Sequence, residues 1–289
     1  MRTLLAVLCG LLSLSAIGQG LADTVEPSEA LSAPRVCLPS GHVLDKHQVA
    51  AAYTFRGATH EGRDMAAHQF EVGVGVTDRI ELDWDYHEIG VDGRTAGNTF
   101  DTHSTGWQVR YGQELFNAPG ALFFQYRTSD GRVVTGGNTR IPPDADTITF
   151  GAVRSSPWGD KRELHVLGSI SRSEVGDQSA ITLLGGAGLD WGLSKDLTAR
   201  GDLALIKEAG DVASFEAAIS GGLHYEKSGF TADVAGTFLP SGTPIAGNPL
   251  GDASVFVLDP VFRNEPIVRD FRNDSLAFYT VRVGYTKSF

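Results

Sequence analysis

Cysteine, long apolar runs and positive charge are all scarce in this sequence. There are two cysteines, and Cys37 would be the only one left after removal of the apolar N-terminal segment, which excludes an internal disulfide. Mean hydropathy is −0.08. Beyond the N-terminal segment no apolar run approaches about 18 residues, which excludes a transmembrane helix. The formal net charge of −11 disfavours nucleic acid as a partner, because phosphate binding needs a basic surface.

Residues 1–22 have the composition of a secretory signal peptide. Arg2 supplies the positive start, residues 4–17 are apolar, and residues 20–22 form a small-residue cleavage site. The segment is too short to be a spanning helix with proper flanks. We therefore predict export and cleavage. The polar, proline-containing residues 23–46 are then expected to form an irregular periplasmic arm.

From His47 onward, apolar side chains recur at every second position, which is the period of a β-strand. Twelve runs of this kind can be counted, and the positions between the apolar ones are mostly polar or charged. The runs lie within residues 49–55, 70–76, 80–86, 107–111, 122–126, 148–152, 164–170, 181–191, 197–205, 215–225, 230–238 and 279–289.

Two-faced strands of this kind suit either a soluble sandwich, which buries the apolar face against a second sheet, or a membrane barrel, which turns that face to lipid. The connections favour the barrel, because short periplasmic turns alternate with longer external loops in outer-membrane barrels and the strand number is even. Tight turns are expected over residues 76–79, 117–120, 156–159, 193–196 and 226–229. The mostly longer connections are 57–67, 88–104, 128–146, 173–179, 207–212 and 239–275.

The aromatic residues and the C-terminus support the same interpretation. Aromatic side chains gather near strand ends, as in the girdles at the two membrane interfaces. One group is Trp84, Tyr86, Trp107 and Tyr126, and the other is Trp191, Tyr225, Phe230 and Phe289. The last strand, ending in Phe289, resembles the terminal strand that the barrel-insertion machinery recognises. We predict an all-β, transmembrane, antiparallel up-and-down β-barrel of about 12 strands over residues 47–289, in contact with Gram-negative outer-membrane lipid.

A family resemblance rests on two segments near the start of this region. Residues 38–41 read Leu-Pro-Ser-Gly, and residues 73–82 read Gly-Val-Gly-Val-Thr-Asp-Arg-Ile-Glu-Leu. Together with the final strand they resemble outer-membrane transporters of the phenol-degradation MetA type and related barrels. The resemblance covers mainly residues 38–90. It implies passage of small solutes, including aromatic or apolar ones, and it transfers no binding residue.

The third run holds the densest group of ionisable side chains. Glu81, Asp83, Asp85 and His87 alternate along its polar face. Such carboxylates can line a hydrated lumen and pair with arginines, bind a divalent cation or select solutes, or act as an acid/base pair. Omptin proteases use acidic and Asp/His pairs near the external mouth of a barrel, which invites a comparison. The predicted lumen and selectivity residues are Glu81, Asp83, Asp85, His87, Arg110, Arg127, Arg200, Asp202, Asp233 and Arg282.

A second pattern with possible chemistry is His103-Ser104. Barrel phospholipases and deacylases use a serine activated by a histidine, but adjacent strand residues point to opposite faces. The pair therefore fits a catalytic role poorly. His47, His60, His68, His165 and His224 are scattered, and each is best interpreted as a polar wall residue.

The function predicted from the sequence is an outer-membrane channel or passive transporter for small solutes. The alternatives are a barrel hydrolase, protease- or lipase-like, with an active site at the rim, and a plugged structural barrel. No catalytic residue, metal ligand or cofactor is assigned. Acidic residues outnumber basic ones on the inferred lumen face, so a mild cation preference is expected. The sequence leaves open whether the arm at 23–46 or the loop at 239–275 enters the pore, as well as the solute and the oligomeric state.

Overall fold

In the computed structural model the described residues form a closed antiparallel barrel. They are 39–60, 63–92, 99–141, 144–175, 178–208, 216–239 and 276–289. Twelve long strands and one short strand are present in these ranges. They are β1 (Gln48–His60), β2 (Arg63–Thr77), β3 (Ile80–Asp92), β4 (Thr99–Glu114), β5 (Pro119–Thr135), β6 (Asn138–Arg140), β7 (Ala145–Pro157), β8 (Arg162–Val175), β9 (Gln178–Gly192), β10 (Leu197–Glu208), β11 (Glu216–Lys227), β12 (Phe230–Leu239) and β13 (Leu276–Ser288).

The twelve long strands form a ring in which each one pairs with its neighbours in the sequence. β1 pairs with β13, and β4 pairs with β5, so the sheet closes on itself and every long strand has two partners. Closure matters because an open sheet edge in lipid would leave backbone groups unpaired, at several kcal/mol each. The prediction of a twelve-strand up-and-down barrel is confirmed.

The short strand β6 lies outside this ring and was not predicted. It pairs only with the end of β5, across a turn in which Gly136 and Gly137 have φ values of 58° and 81°. Positive φ at both central positions is the two-residue hairpin geometry that glycine adopts without steric cost. The Gly-Gly pair within the expected connection 128–146 could therefore have predicted this hairpin from the sequence.

The two faces of the strands differ as the alternation predicts. Outward side chains are large, apolar and exposed, such as Trp107 and Val234, each 61% exposed. Inward side chains are mostly polar and buried, such as Thr54 at 0% and Asp233 at 1%. Since cross-strand partners lie on the same face, the antiparallel register carries both patterns around the whole ring.

The strands extend further on the external side than the sequence suggested. The connections expected over 57–67, 88–104 and 128–146 are largely strand, since β1 reaches His60, β3 reaches Asp92 and β5 reaches Thr135. The apolar alternation fades there because the outward side chains become polar. Backbone hydrogen bonding continues past the apolar band. The apolar pattern therefore predicted the centres of the strands but not their external ends.

Tyrosine hydroxyls mark the external limit of the apolar band. The Tyr53 hydroxyl lies 2.7 Å from His68 Nδ1, the Tyr86 hydroxyl lies 3.0 Å from His103 Nδ1, and the Tyr126 hydroxyl donates to Asp146 over 2.7 Å. Beyond them the outward face carries ion pairs such as Arg132–Asp101 and Arg172–Glu174. Tyrosine at such a boundary has an apolar ring on one side and a wet hydroxyl on the other.

Parts of the predicted organisation lie outside the described residues. These are the signal peptide at 1–22, most of the arm at 23–46, and loop residues 240–275. Among the residues that are described, no helix is long and apolar enough to cross a membrane.

Candidate functional site: the inner wall and the arm

All ten residues proposed to line the lumen lie on the inner face of the barrel. On β3 and β4, Glu81 faces Arg110 and Asp85 faces Gly106 across the strand pair. On β12 and β13, Asp233 faces Arg282. The rest of the set is Asp83 and His87 on β3, Arg127 on β5, and Arg200 and Asp202 on β10. Strand alternation alone places them there, because each has the parity opposite to the apolar residues of its strand.

Asp85 is held in an ion pair at the middle of the wall. Arg127 Nη2 donates to Asp85 Oδ2, and Arg127 Nη1 donates to Ser104 Oγ over 2.9 Å. His87 Nε2 lies 3.4 Å from the same carboxylate. Asp85 and His87 therefore sit at mid-strand and not at the external rim, and the carboxylate is committed to a guanidinium.

The His103-Ser104 pair lies in β4, with its two side chains on opposite faces. Ser104 points inward to Arg127, whereas the His103 ring stacks outside against Tyr86, with ring centroids 6.3 Å apart. The prediction that these adjacent side chains point to opposite faces is confirmed.

A ladder of alternating charges runs along the other side of the wall. Arg56 Nη1 donates to Gln69, which donates to Glu71, with both bonds 2.9 Å long. Arg282 then lies between Glu71 (3.4 Å) and Asp233 (3.7 Å). The ladder thus joins β1, β2, β13 and β12 through their side chains. Arg56 had not been singled out from the sequence.

The ladder continues into β11, β10 and β9. Asp233 Oδ1 accepts from Arg200 Nη1 over 3.1 Å and lies 2.8 Å from His224 Nδ1. Arg200 Nε lies 3.6 Å from Asp190 Oδ2. Asp202 accepts a hydrogen bond from Ser220 Oγ over 3.4 Å. Most carboxylates on this wall therefore face a guanidinium, which balances their charge in a site withdrawn from water.

The described part of the arm, residues 39–46, lies within the periplasmic end of the barrel. Arg110 Nη2 donates to the carbonyl oxygens of Ser40 (2.6 Å) and His42 (2.8 Å). The Leu44 amide donates to Glu81 Oε2 over 2.9 Å, and the Leu44 side chain is 2% exposed. The ion pair of Glu81 and Arg110, at 3.2 Å, thus also anchors the arm.

The arm reaches the wall opposite the strand it leads into. It joins β1 at Gln48, yet the Gly41 amide donates to Ser155 Oγ on β7 over 2.6 Å. His42 Nε2 lies 2.8 Å from Glu163 Oε1 on β8. β8 is the sixth strand from β1 in the ring of twelve, so the arm spans half of the circumference across the periplasmic mouth.

A cluster on β7, β8 and β9 lies beneath the arm. Ser155 Oγ is 2.7 Å from His165 Nδ1. His165 Nε2 lies 3.4 Å from Asp190 Oδ2 and 3.6 Å from Glu163 Oε2. From the sequence, His165 was interpreted as one of several scattered polar wall residues. The signal that could have found the cluster is parity, because Glu163 and His165 are two residues apart on the inward face of a strand.

Besides buried hydroxyl side chains such as Thr147 on β7 and Ser173 on β8, the external half of the inner wall carries a group of large apolar side chains. These apolar residues lie at the external ends of six strands and are all buried: Met65, Ile89, Val133, Ile206, Leu239 and Phe278. The wall thus changes along its depth, from mostly apolar and hydroxyl side chains near the external ends to charged side chains through the middle and the periplasmic end.

No protein-family model matches the chain, and no curated protein matches it either. Solved structures with similar folds are known. An outer-membrane channel from Pseudomonas putida F1 has a TM-score of 0.51 at 10% identity, covering 86% of this chain and 97% of that one. The translocator domain of the autotransporter NalP from Neisseria meningitidis has a TM-score of 0.49 at 11% identity, covering 84% and 88%. The porin NanC has 0.49 at 10%, covering 82% and 98%. At 10% identity the first likeness shows a common barrel fold.

Proposed function

We propose that this protein is a channel or passive transporter for small solutes in the Gram-negative outer membrane. The observation that carries the proposal is the contrast between the two faces of one closed sheet. Its outer face is a band of exposed apolar side chains, which only hydrocarbon can cover around a whole ring. Its inner wall is a network of charged and hydroxyl side chains, which suits a path for solutes.

The class of solute follows from the depth profile of the wall. A solute entering from outside meets the apolar side chains of Met65, Ile89 and Phe278, interspersed with hydroxyl groups, before the charged ladder. This order suits a small molecule with an apolar or aromatic part and a polar group. The resemblance to MetA-type transporters implies the same class, and the similar Pseudomonas putida structure is described as an outer-membrane channel.

The arm is proposed to restrict the periplasmic exit. Its segment 39–46 is held by hydrogen bonds to Glu81, Arg110 and Ser155 on three different strands. Such a segment narrows the mouth without belonging to the sheet, so it can leave without opening the barrel. The arm is therefore proposed as the narrowest element of the periplasmic half.

A role as a rim hydrolase is not proposed for Asp85 and His87. Both residues lie at mid-strand and not at the rim, and the Asp85 carboxylate is paired with Arg127. Phe289, outward and 77% exposed at the end of the last strand, is proposed as the contact for the insertion machinery.

The proposal is tested by single-channel recording in planar bilayers with the protein and a variant that expels the arm. Leu44→Asp places a carboxylate beside Glu81 in a buried site, so the arm is expected to leave the wall and the unitary conductance to rise. Leu44→Met conserves volume and is expected to match the unaltered protein.

Two results would count against the proposal. Absence of conductance steps in all three proteins, each verified as a folded barrel by heat-modifiable gel mobility, would indicate a structural barrel. Equal conductance for Leu44→Asp and Leu44→Met would keep the channel but remove the arm as its restriction.

A further inference from the structure

The cluster beneath the arm combines ligand types that bind metal ions. Glu163, His165 and Asp190 each offer one ligand atom, and these atoms lie within 4.8 Å of one another. The distances from His165 Nε2 to the two carboxylate oxygens are 3.4 and 3.6 Å. Two ligands that each lie about 2 Å from a single tetrahedral ion have nearly this separation.

A buried nitrogen points to a ligand at this site. His165 is 1% exposed, and its Nε2 has no hydrogen-bond partner within the described part of the structure. A buried polar atom without a partner destabilises the fold unless something binds it. The atom is directed at two carboxylates, and a cation between the three groups would bind it.

The other nitrogen of the ring is already arranged for this role. Metal ligation through Nε2 requires the proton on Nδ1, which then donates to Ser155 Oγ over 2.7 Å. The serine oxygen has two lone pairs, so it also accepts from the Gly41 amide over 2.6 Å. Glu163 is fixed in the same way, because its second oxygen lies 2.8 Å from His42 Nε2. Ligands oriented by such outer hydrogen bonds are typical of metal sites.

His224, a second histidine on the inner wall, lies in a cluster whose negative charge is balanced by arginines. His224 also lies between two carboxylates, Asp233 at 2.8 Å and Glu226 at 3.6 Å. Asp233, however, is shared with both Arg200 and Arg282. Near the cluster of His165, Arg200 Nε lies 3.6 Å from Asp190 Oδ2, and no guanidinium or ammonium group lies within 4.0 Å of Glu163 among the described ion pairs.

We propose that Glu163, His165 and Asp190 form a binding site for a divalent transition-metal cation of the Zn²⁺ class. One imidazole nitrogen and two carboxylate oxygens suit zinc, whereas calcium and magnesium prefer ligand sets made entirely of oxygen. Two contacts connect the site to the arm. Ser155, which contacts His165, accepts a hydrogen bond from the Gly41 amide, and Glu163 contacts the His42 ring. Metal binding therefore stabilises the docked position of residues 39–46, and the site acts as a latch on the periplasmic mouth.

The first test is calorimetric titration of the untagged, chelator-treated, refolded protein with ZnCl₂. One zinc ion per chain is expected, and Asp190→Asn and His165→Gln are expected to abolish stoichiometric binding. His42→Ala removes only an outer partner and should weaken binding about 10- to 100-fold. His224→Gln is the matched control and should bind as the unaltered protein does. MgCl₂ added in excess should not displace the zinc.

The second measurement links the metal to the arm. Amide hydrogen exchange at Gly41 and Leu44, followed by mass spectrometry of peptides covering 39–46, should slow on zinc addition and remain unchanged in Asp190→Asn. Absence of stoichiometric binding, or binding that Asp190→Asn and His165→Gln both retain, overturns the site. Binding without any change in exchange of the arm overturns the latch. Because neither readout involves conductance, these outcomes are independent of the channel proposal.

Discussion

The outer and inner faces of the same strands obey different rules. On the outer face each apolar side chain acts through its depth in the bilayer, and it needs no particular partner. On the inner face a residue such as Asp85 is tolerated because of one other residue, Arg127, which comes from a different strand. Alternation along a strand thus separates two kinds of position. The residue type at an outward position depends on its surroundings, and at an inward position it depends on a partner side chain.

The largest expected effect breaks a pair on the inner face. Arg127→Met leaves the Asp85 carboxylate buried without its guanidinium, which should lower the free energy of unfolding by about 3–5 kcal/mol. The measurement is urea unfolding of the protein in phospholipid vesicles. Arg132→Met, which breaks the exposed pair with Asp101 on the outer side, should change it by at most about 1 kcal/mol. Similar losses in both variants would refute the distinction between the faces.

The next effect places a charge on the outer face. Val234→Arg in the middle of β12 should cost about 2–4 kcal/mol, because a cation at the bilayer midplane loses its hydration. Phe230→Arg lies on the same face of the same strand but at its periplasmic end, and should cost no more than about 1 kcal/mol. Unfolding of both variants in vesicles checks the dependence on depth. Equal costs would mean that the band of β12 does not face hydrocarbon.

A smaller effect tests pairing between neutral groups. Thr149 and Ser171 are both buried on the inner wall, with their hydroxyls 2.9 Å apart across β7 and β8. Thr149→Val should cost about 1–3 kcal/mol because it leaves the serine hydroxyl without this partner. The double variant with Ser171→Ala should recover most of the loss. A double variant as unstable as the single one would show that packing, and not pairing, sets the stability here.

The smallest effect concerns ion selectivity. Carboxylates remain more numerous than arginines on the described inner wall, but most of them are paired, so only a mild cation preference is expected. Reversal potentials under a KCl gradient should show it, and Asp202→Asn should reduce it by removing one inward charge. Anion preference of the unaltered protein would reject the hypothesis.

The twelve strands were predictable because alternation is a local property. Each run from residues 49–55 to 279–289 carries its own face pattern, and the tight turns between runs coincide with the periplasmic turns of the barrel. The external ends of β1, β3 and β5 were missed because the alternation of apolar residues ends where lipid contact ends. The β5–β6 hairpin was missed because its Gly-Gly signal lay within an assumed loop.

The sequence predicted which residues face the inner wall, but it did not predict which side chains contact one another there. Parity alone placed Glu81 and Arg110 inside, and it was compatible with pairing between the carboxylates and arginines of the lumen. It could not bring His165 on β8 to Asp190 on β9 and Ser155 on β7, because those contacts depend on register across three strands.

The sequence by itself determined the strands, their two faces and the closed barrel, because a two-residue period and turn lengths are written locally along the chain. Only the tertiary structure decided which charges pair, that residues 39–46 cross the periplasmic mouth, and that a histidine and two carboxylates converge beneath them. The physical reason is that a residue's position in its strand decides which face its side chain is on. Which side chains it contacts depends on the register between strands, the closure of the ring and the path of the arm. Residues in contact lie as far apart in the chain as Glu71 and Arg282, and no local pattern relates them.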